Sequence, residues 1–262
     1  MNIAELHNLK NWFSDYCMSF YSDDAEDQKN ILLKVCHTYN VCENIIEIAG
    51  EESPDPGKLV LAETVALFHD LGRFRQYAKY KTFRDSISVN HGRLGAQILK
   101  KEGVLRNLSG DEKELVINAV RFHNALDMPM LHNPEHIFFL KLIRDADKLD
   151  IWRVFAEYYE GPVMERASAV GLGLPDTPDY SETALLCLKE KKLVTLASLE
   201  TLNDFKLMQL SWIYDLNFRA SFRLLEKRDH IKKIIGSLPR TDEIGKAISI
   251  LREFISSRLQ SR

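Results

Sequence analysis

The chain has 262 residues, of which 45% are hydrophobic, and its formal net charge is −3. This length fits one large domain or two small ones, and the apolar fraction is enough for a sizeable core. A slightly acidic chain with mixed charges gives no electrostatic reason to expect a nucleic-acid partner, and its apolar runs are too short to cross a bilayer.

The N-terminal residues lack the basic region and apolar stretch of a secretory signal. The cysteines show no paired metal-binding spacing, which favours small buried thiols over a disulfide or a zinc site. They are Cys17, Cys36, Cys42 and Cys187. We therefore expect a reduced protein in the cytoplasm, with no membrane partner.

Helical periodicity dominates the chain from its N-terminus. Apolar residues recur at steps of three and four over residues 3–20 and predict a first helix. The acidic segment 22–24 is typical of a helix N-cap, so we expect a second helix to run from there through Ile48. The Pro/Gly-rich stretch 53–57 then ends that helix.

A third helix is predicted over about 58–71, with Gly72 as its C′ stop. Residues 73–89 are polar and aromatic without a clear period, which predicts a surface loop. The same periodicity predicts further helices near 91–102, 111–126 and 134–160.

The C-terminal part is also predicted to be helical. Gly161-Pro162 interrupts the preceding helix, and the Gly/Pro-rich stretch 171–178 is the best candidate boundary. Beyond it, amphipathic patterns predict helices near 180–192, 198–228 and 240–260. No alternating pattern of useful length appears, so the fold class expected is all-α.

His69-Asp70, at the end of an apolar run, is the most informative pair in the chain. Imidazole and carboxylate are a common ligand pair for divalent transition metals. Four more candidates lie in or beside separate helical segments. They are His37, His91, His123 and Asp147. Each histidine alone is more often a satisfied core residue, but Asp147 on an apolar helix face requires a cation to compensate its burial.

The order His37, His69-Asp70, Asp147 on a helical chain resembles the H…HD…D signature of the HD-domain superfamily of metal-dependent phosphohydrolases. The segment that begins at His91, His-Gly-x-x-Gly-Ala, resembles the next histidine helix of the family. Ala-Asp-Lys-Leu-Asp at 146–150 resembles its closing aspartate helix. The resemblance covers roughly residues 30–155.

This resemblance implies an HD-domain-like helical bundle with additional C-terminal helices. We expect one all-α domain over residues 1–262, with an HD-type core at about 24–160 and a helical extension at about 179–262. No Gly-Tyr-Pro triplet follows His123, and Phe122 stands where the cyclic-dinucleotide branch has a second histidine, so cleavage of cyclic di-GMP is not expected.

The resemblance also implies the ligand set. In the family, the positions of His37, His69, Asp70 and Asp147 hold one metal, and those of His91 and His123 complete a second site. We expect one or two divalent ions, of Mn, Co, Fe, Ni, Mg or Zn, and favour two. Asp70 is the expected bridging carboxylate and catalytic residue, which takes or orients a proton. Asp145 and Asp150 are rivals to Asp147, whose local sequence matches the family best.

The expected charge of the centre suggests its substrate. Two divalent ions outweigh two carboxylates, which favours an anion such as a phosphate ester. The candidates for binding its phosphate are Arg73, Lys81 and Arg84. The aromatic residues among them either stack on a nucleotide base or bury one another in an ordered loop, and the sequence leaves both open.

We therefore expect a phosphohydrolase that uses a metal-activated hydroxide to cleave a phosphate ester of a small molecule, with nucleotides favoured. The same ligands would also suit a di-iron oxygenase. A third alternative is a non-catalytic module that binds metal and nucleotide. The expected partner is a small phosphorylated substrate, and a homo-oligomer is left open.

Overall fold

The structure is a computed structural model that describes residues 1–162, 167–170 and 172–260. Within these ranges the regular elements are helices, and no strand occurs. The α-helices are α1 (Ile3–Met18), α2 (Ala25–Glu52), α3 (Pro56–Phe68), α4 (Leu71–Tyr80), α5 (His91–Lys101), α6 (Gly110–Phe122), α7 (Pro134–Glu160), α8 (Glu182–Lys189), α9 (Leu202–Ser211), α10 (Arg219–Lys227), α11 (His230–Gly236) and α12 (Asp242–Gln260). The prediction of an all-α fold is confirmed. None of the helices in these ranges combines the length and apolarity needed to span a bilayer.

The described chain divides into two compact units. The first comprises residues Met1–Asp150 together with Ala167–Val170, and the second takes the rest from Ile151 onward. This division leaves the expected single domain over 1–262 a prediction. Gly171, the first residue of the predicted boundary stretch, lies outside the described residues.

In the first unit, α2 packs on α3, α3 contacts α1 and α6, and α5 packs between α4 and α6. Buried rings tie the N-terminal helices together: the ring of Phe13 lies 6.4 Å from that of Phe68 and 6.0 Å from that of Phe74. The predicted cap of α2 is present, because the side chain of Asp24 accepts a hydrogen bond from the backbone N–H of Asp27 at 2.8 Å. This unit contains all of the predicted ligands.

The junction between α3 and α4 corrects two sequence-based expectations. Helix α3 ends at Phe68, and the chain turns directly into α4, so Gly72 lies inside a helix and is not a C′ stop. The loop expected over 73–89 is wrong for 73–80, which belong to α4. The buried residues Leu71, Phe74 and Tyr77 of α4 are spaced three apart and form a short apolar stripe. The polar residues between them made this stripe hard to recognise in the sequence.

Gly72 is required for space. A Cβ atom at this position would lie 2.1 Å from the backbone oxygen of His91 and 2.8 Å from the backbone nitrogen of Gly95. The absence of a side chain therefore lets α4 and α5 approach closely, which places the start of α5 beside the His69-Asp70 junction.

In the second unit, α8 packs on α9 and α12, α10 packs on α12, and α11 contacts α9. The single helix expected over 198–228 is wrong: α9 ends in a 3₁₀ turn at Trp212–Asp215, and α10 begins only after extended backbone at Leu216 and Phe218. Periodicity could not detect this break, because apolar residues continue through the turn. The short helix α11 was not expected from the sequence.

Substitution of Gly72 by alanine tests the close contact of α4 with α5. Because the new Cβ meets backbone atoms that cannot rotate away, Gly72→Ala should lower the free energy of unfolding by about 3 kcal/mol in urea denaturation. Gly50→Ala, at an open position of α2, is the matched control and should be neutral or stabilising by about 0.5–1 kcal/mol. Equal effects of the two changes would contradict this role of Gly72.

Candidate metal centre

The first unit brings all six predicted metal ligands together. They are contributed by α2 (His37), the α3–α4 junction (His69 and Asp70), the first residue of α5 (His91), the C-terminus of α6 (His123) and α7 (Asp147). Five of these residues are at most 5% exposed, and the side chain of Asp147 is 16% exposed. The ligand roles remain predictions, but their convergence is a property of the fold.

One group of ligand atoms is formed by His37, His69 and the Oδ2 atom of Asp70. The Nε2 atoms of the two histidines lie 3.3 Å apart, and Asp70 Oδ2 lies 3.6 and 3.8 Å from them. Asp147 Oδ1 faces the same pair, 3.1 Å from Nε2 of His37 and 3.7 Å from Nε2 of His69. These four side chains offer two imidazole nitrogens and two carboxylates around one position.

A second group is formed by His91, His123 and the other oxygen of Asp70. The two Nε2 atoms lie 2.9 Å apart, and Asp70 Oδ1 lies 3.3 Å from that of His91 and 3.8 Å from that of His123. The two oxygens of Asp70 therefore face different histidine pairs. This is the geometry expected of a carboxylate that bridges two cations.

The Nδ1 atoms of all four histidines are occupied by acceptors behind the centre. His69 donates from Nδ1 to the carbonyl of Ala66 at 2.6 Å, and His123 donates in the same way to Val120 at 2.8 Å. Two carboxylates serve the others: Asp150 lies 2.7 Å from Nδ1 of His37, and Asp85 lies 2.8 Å from Nδ1 of His91. Because a carbonyl oxygen only accepts, Nδ1 carries the proton in His69 and His123, and Nε2 points its lone pair into the centre.

The neutral imidazoles of His91 and His123 suit divalent cations. Burial and the charge of Arg73 lower the pKa of His91 to about 4. Burial and the charge of His69 lower the pKa of His123 to about 4. Both rings are therefore neutral at pH 7, and their lone pairs face each other across 2.9 Å. A cation between such nitrogens removes the repulsion and replaces the water that burial has taken away.

His37 behaves differently because two carboxylates contact it. Burial and the charge of Lys34 lower its pKa, but hydrogen bonds to Asp147 and Asp150 outweigh them and raise it to about 9. Without a metal, His37 therefore carries a second proton, which a metal ion would displace on binding. Although burial raises the pKa of Asp147, the hydrogen bond from His37 and the nearby histidine charges hold it far below its usual value.

The structure separates Asp147 from its rivals. Asp147 faces the Nε2 side of His37, where a metal ligand is needed, whereas Asp150 contacts the Nδ1 side and orients the ring. Asp150 is 2% exposed and Asp145 is fully buried. Asp147 therefore stays the predicted ligand, and Asp150 is placed to position the ring of His37.

Comparison with known proteins places this centre in a family. Residues 35–152 match the family model of the HD domain. The resemblance to the HD-domain superfamily is thus confirmed for this segment. The expected HD-domain-like fold is therefore confirmed, and the match spans His37 through Asp147.

The chain is also similar to one solved protein. It is a predicted HD superfamily hydrolase from an uncultured Thermotogales bacterium, whose crystal structure has been solved. Its sequence is 25% identical to that of this chain. The similarity covers 63% of this chain and 81% of that one, with a TM-score of 0.37. A TM-score of this size does not establish a common overall arrangement. No curated protein matches the chain.

Two side chains at this metal centre were not predicted from the sequence. Asp85 lies in a 3₁₀ turn, Asp85–Ile87, and accepts hydrogen bonds from His91, Arg73, Gln76 and Asn124. Burial raises its pKa, but the hydrogen bond from His91 and the charge of Arg73 outweigh burial and lower it to about 2. Asp85 stands in a segment without a period, so no sequence signal marked it.

Lys34 is the second side chain that was missed. Its ammonium group lies 2.7 Å from Asp70 Oδ2. Burial raises the pKa of Asp70, but Lys34, His69 and Arg73 together hold it well below its usual value. A signal for Lys34 did exist, because it precedes His37 by three residues on α2 and so shares its helix face.

The three predicted phosphate-binding residues have different surroundings. The guanidinium group of Arg73 donates to the backbone oxygen of Phe83 and the side chains of Gln76 and Asp85, and its Nε lies 3.4 Å from Asp70 Oδ1. Lys81 is 56% exposed and pairs with Asp27. Arg84 is exposed. Their roles in binding substrate remain predictions.

The rings of this region favour the second of the two readings left open. Tyr77 is 3% exposed, and its ring lies 5.2 Å from that of Phe83. Its hydroxyl donates to Asp27 and accepts from Asn30. These two rings are therefore packed within the HD domain, whereas Tyr80 is 37% exposed.

Substitution of Asp85 by asparagine tests its support of the second ligand group. An amide accepts less strongly from Nδ1 of His91 and brings no charge, so Asp85→Asn should weaken the binding of one of two Mn²⁺ ions by about 10- to 100-fold. Calorimetric titration of the metal-free protein with Mn²⁺ measures both affinities.

The matched control is Asp15→Asn, which removes an exposed carboxylate from α1 and should leave both affinities unchanged. Unaltered binding of two ions by Asp85→Asn would show that Asp85 does not support the centre.

Proposed function

We propose that the chain is a metal-dependent phosphohydrolase that cleaves a phosphate ester of a small molecule. The match to the HD domain supports this activity in general terms. The observation that carries the proposal is the position of Asp70, whose two oxygens each face a separate pair of histidine nitrogens. Such an arrangement suits two cations that clamp the attacking and leaving oxygens of a phosphoryl transfer.

The residues of the chain have distinct tasks in this reaction. The four histidines, Asp70 and Asp147 would hold the cations. Bound divalent ions supply Lewis acidity and lower the pKa of water toward neutrality. Asp70 is ionised at neutral pH, so it can accept a proton or orient one but does not enter the reaction as a proton donor. Burial of the imidazoles limits competing water and strengthens electrostatic contacts.

The charge balance supports an anionic substrate. Two divalent ions outweigh the charges of Asp70 and Asp147, and Lys34 adds a positive charge at 2.7 Å from the bridging carboxylate. We propose nucleotides as the first class to test, since Tyr80 and Arg84 are exposed and offer a ring and a cation of the kinds that nucleotides bind. The partner proposed is thus a small phosphorylated molecule.

We also propose that the protein works in the cytoplasm. All four cysteines are free thiols, and Cys17 and Cys42 are buried. Burial raises the pKa of both buried thiols, which keeps them protonated and unreactive. Free thiols of this kind suit a reducing compartment.

Phosphate release from a substrate panel tests the proposed activity. The purified protein, supplied with Mn²⁺, Co²⁺ or Mg²⁺, should release phosphate from at least one nucleotide or sugar phosphate, and chelation should abolish it. His69→Ala and Asp70→Ala should reduce kcat by about a thousandfold, because the cations supply several kcal/mol of transition-state stabilisation.

His132→Ala is the matched control, since this histidine is exposed, and it should leave kcat unchanged. Full activity in His69→Ala or Asp70→Ala would refute the assigned site. Consumption of O₂ by the iron-loaded protein without phosphate release would instead identify an oxygenase. Metal-dependent binding of a nucleotide without turnover would identify a binding module.

A further inference from the structure

Lys34 occupies a defined place in the metal centre. Its side chain is 15% exposed and leaves α2 one turn before His37. The ammonium nitrogen lies 2.7 Å from Asp70 Oδ2, the oxygen that also faces His37 and His69. It lies 5.2 Å from the centre of the Phe83 ring, which covers one side of it.

The cations predicted from the sequence are held differently. One terminal nitrogen of Arg73 donates to oxygens of Gln76, Phe83 and Asp85. This guanidinium group therefore holds residues 83–85 against α4. Lys81 pairs with Asp27 and is mostly exposed. Lys34, in contrast, has three N–H donors, and Asp70 is its one hydrogen-bond acceptor among the described residues.

We propose that Lys34 binds the phosphoryl group of the substrate, an inference that rests on the proposed function. Asp70 Oδ2 is within reach of two positive charges, the ammonium group and a cation held by His37 and His69. Like charges beside one oxygen repel each other, and an anion that contacts both relieves this repulsion. A phosphoryl oxygen is such an anion, and the free N–H groups of Lys34 can donate to it.

A purely structural role for Lys34 makes a different prediction. If the ammonium group served only to neutralise Asp70, its removal would change the binding of metal and leave the binding of phosphate to the loaded protein unaffected. The two roles are therefore distinguished by measuring metal content and phosphate affinity separately.

The experiment compares the wild-type protein with Lys34→Met, Lys34→Arg and Lys79→Met, each loaded with Mn²⁺ and desalted. Calorimetry measures the binding of inorganic phosphate, and elemental analysis measures Mn²⁺. Lys34→Met should keep its Mn²⁺ and bind phosphate about 10- to 100-fold more weakly, as expected for the loss of a charge-assisted hydrogen bond. Lys34→Arg should recover part of the affinity.

Lys79→Met is the matched control. Lys79 also lies over a ring, at 5.0 Å from that of Tyr80, but it is exposed on α4, so Lys79→Met should match the wild type.

Equal phosphate affinity in Lys34→Met and the wild type would overturn this inference and leave the proposed function standing. Loss of Mn²⁺ from Lys34→Met would overturn it in favour of a structural role. Wild-type protein that binds no phosphate would also overturn it, and if that protein hydrolyses nothing in the substrate panel, the proposed function falls with it.

Discussion

The carboxylate of Asp70 is shared between two pairs of imidazoles, and the arrangement of the first unit depends on this sharing. Each histidine is held from behind at Nδ1 by a carbonyl or carboxylate oxygen, so its Nε2 atom is directed at the centre. Buried nitrogens and oxygens that face one another at 2.9–3.8 Å are costly without a cation. These donors therefore suit a bound divalent cation.

The ends of the helices position these ligands as much as their faces do. His69 and His123 each follow the last residue of a helix, and each donates to the carbonyl three residues earlier. Asp70 stands at the N-terminus of α4, where the helix dipole favours a negative charge, and its side chain makes no capping bond. The carboxylate is therefore stabilised locally and remains available to ligands.

Much of this centre could be predicted from the sequence, for identifiable reasons. The order of His37, His69-Asp70 and Asp147 is marked by residue types that have no packing role in apolar segments, and helical periodicity places them in or beside separate helices. The contact of Asp85 with His91 depends on how an irregular segment folds, which no period encodes. Helix α4 was missed because only one short face of it is apolar, and its role emerges from the close approach at Gly72.

Anomalous X-ray diffraction from crystals loaded with Mn²⁺ tests the central claim most directly. The account predicts two anomalous peaks in each chain, one beside His37 and His69 and the other beside His91 and His123, with Asp70 between them. A single peak, peaks at other positions, or the absence of bound Mn²⁺ would contradict the claim that Asp70 bridges two cations.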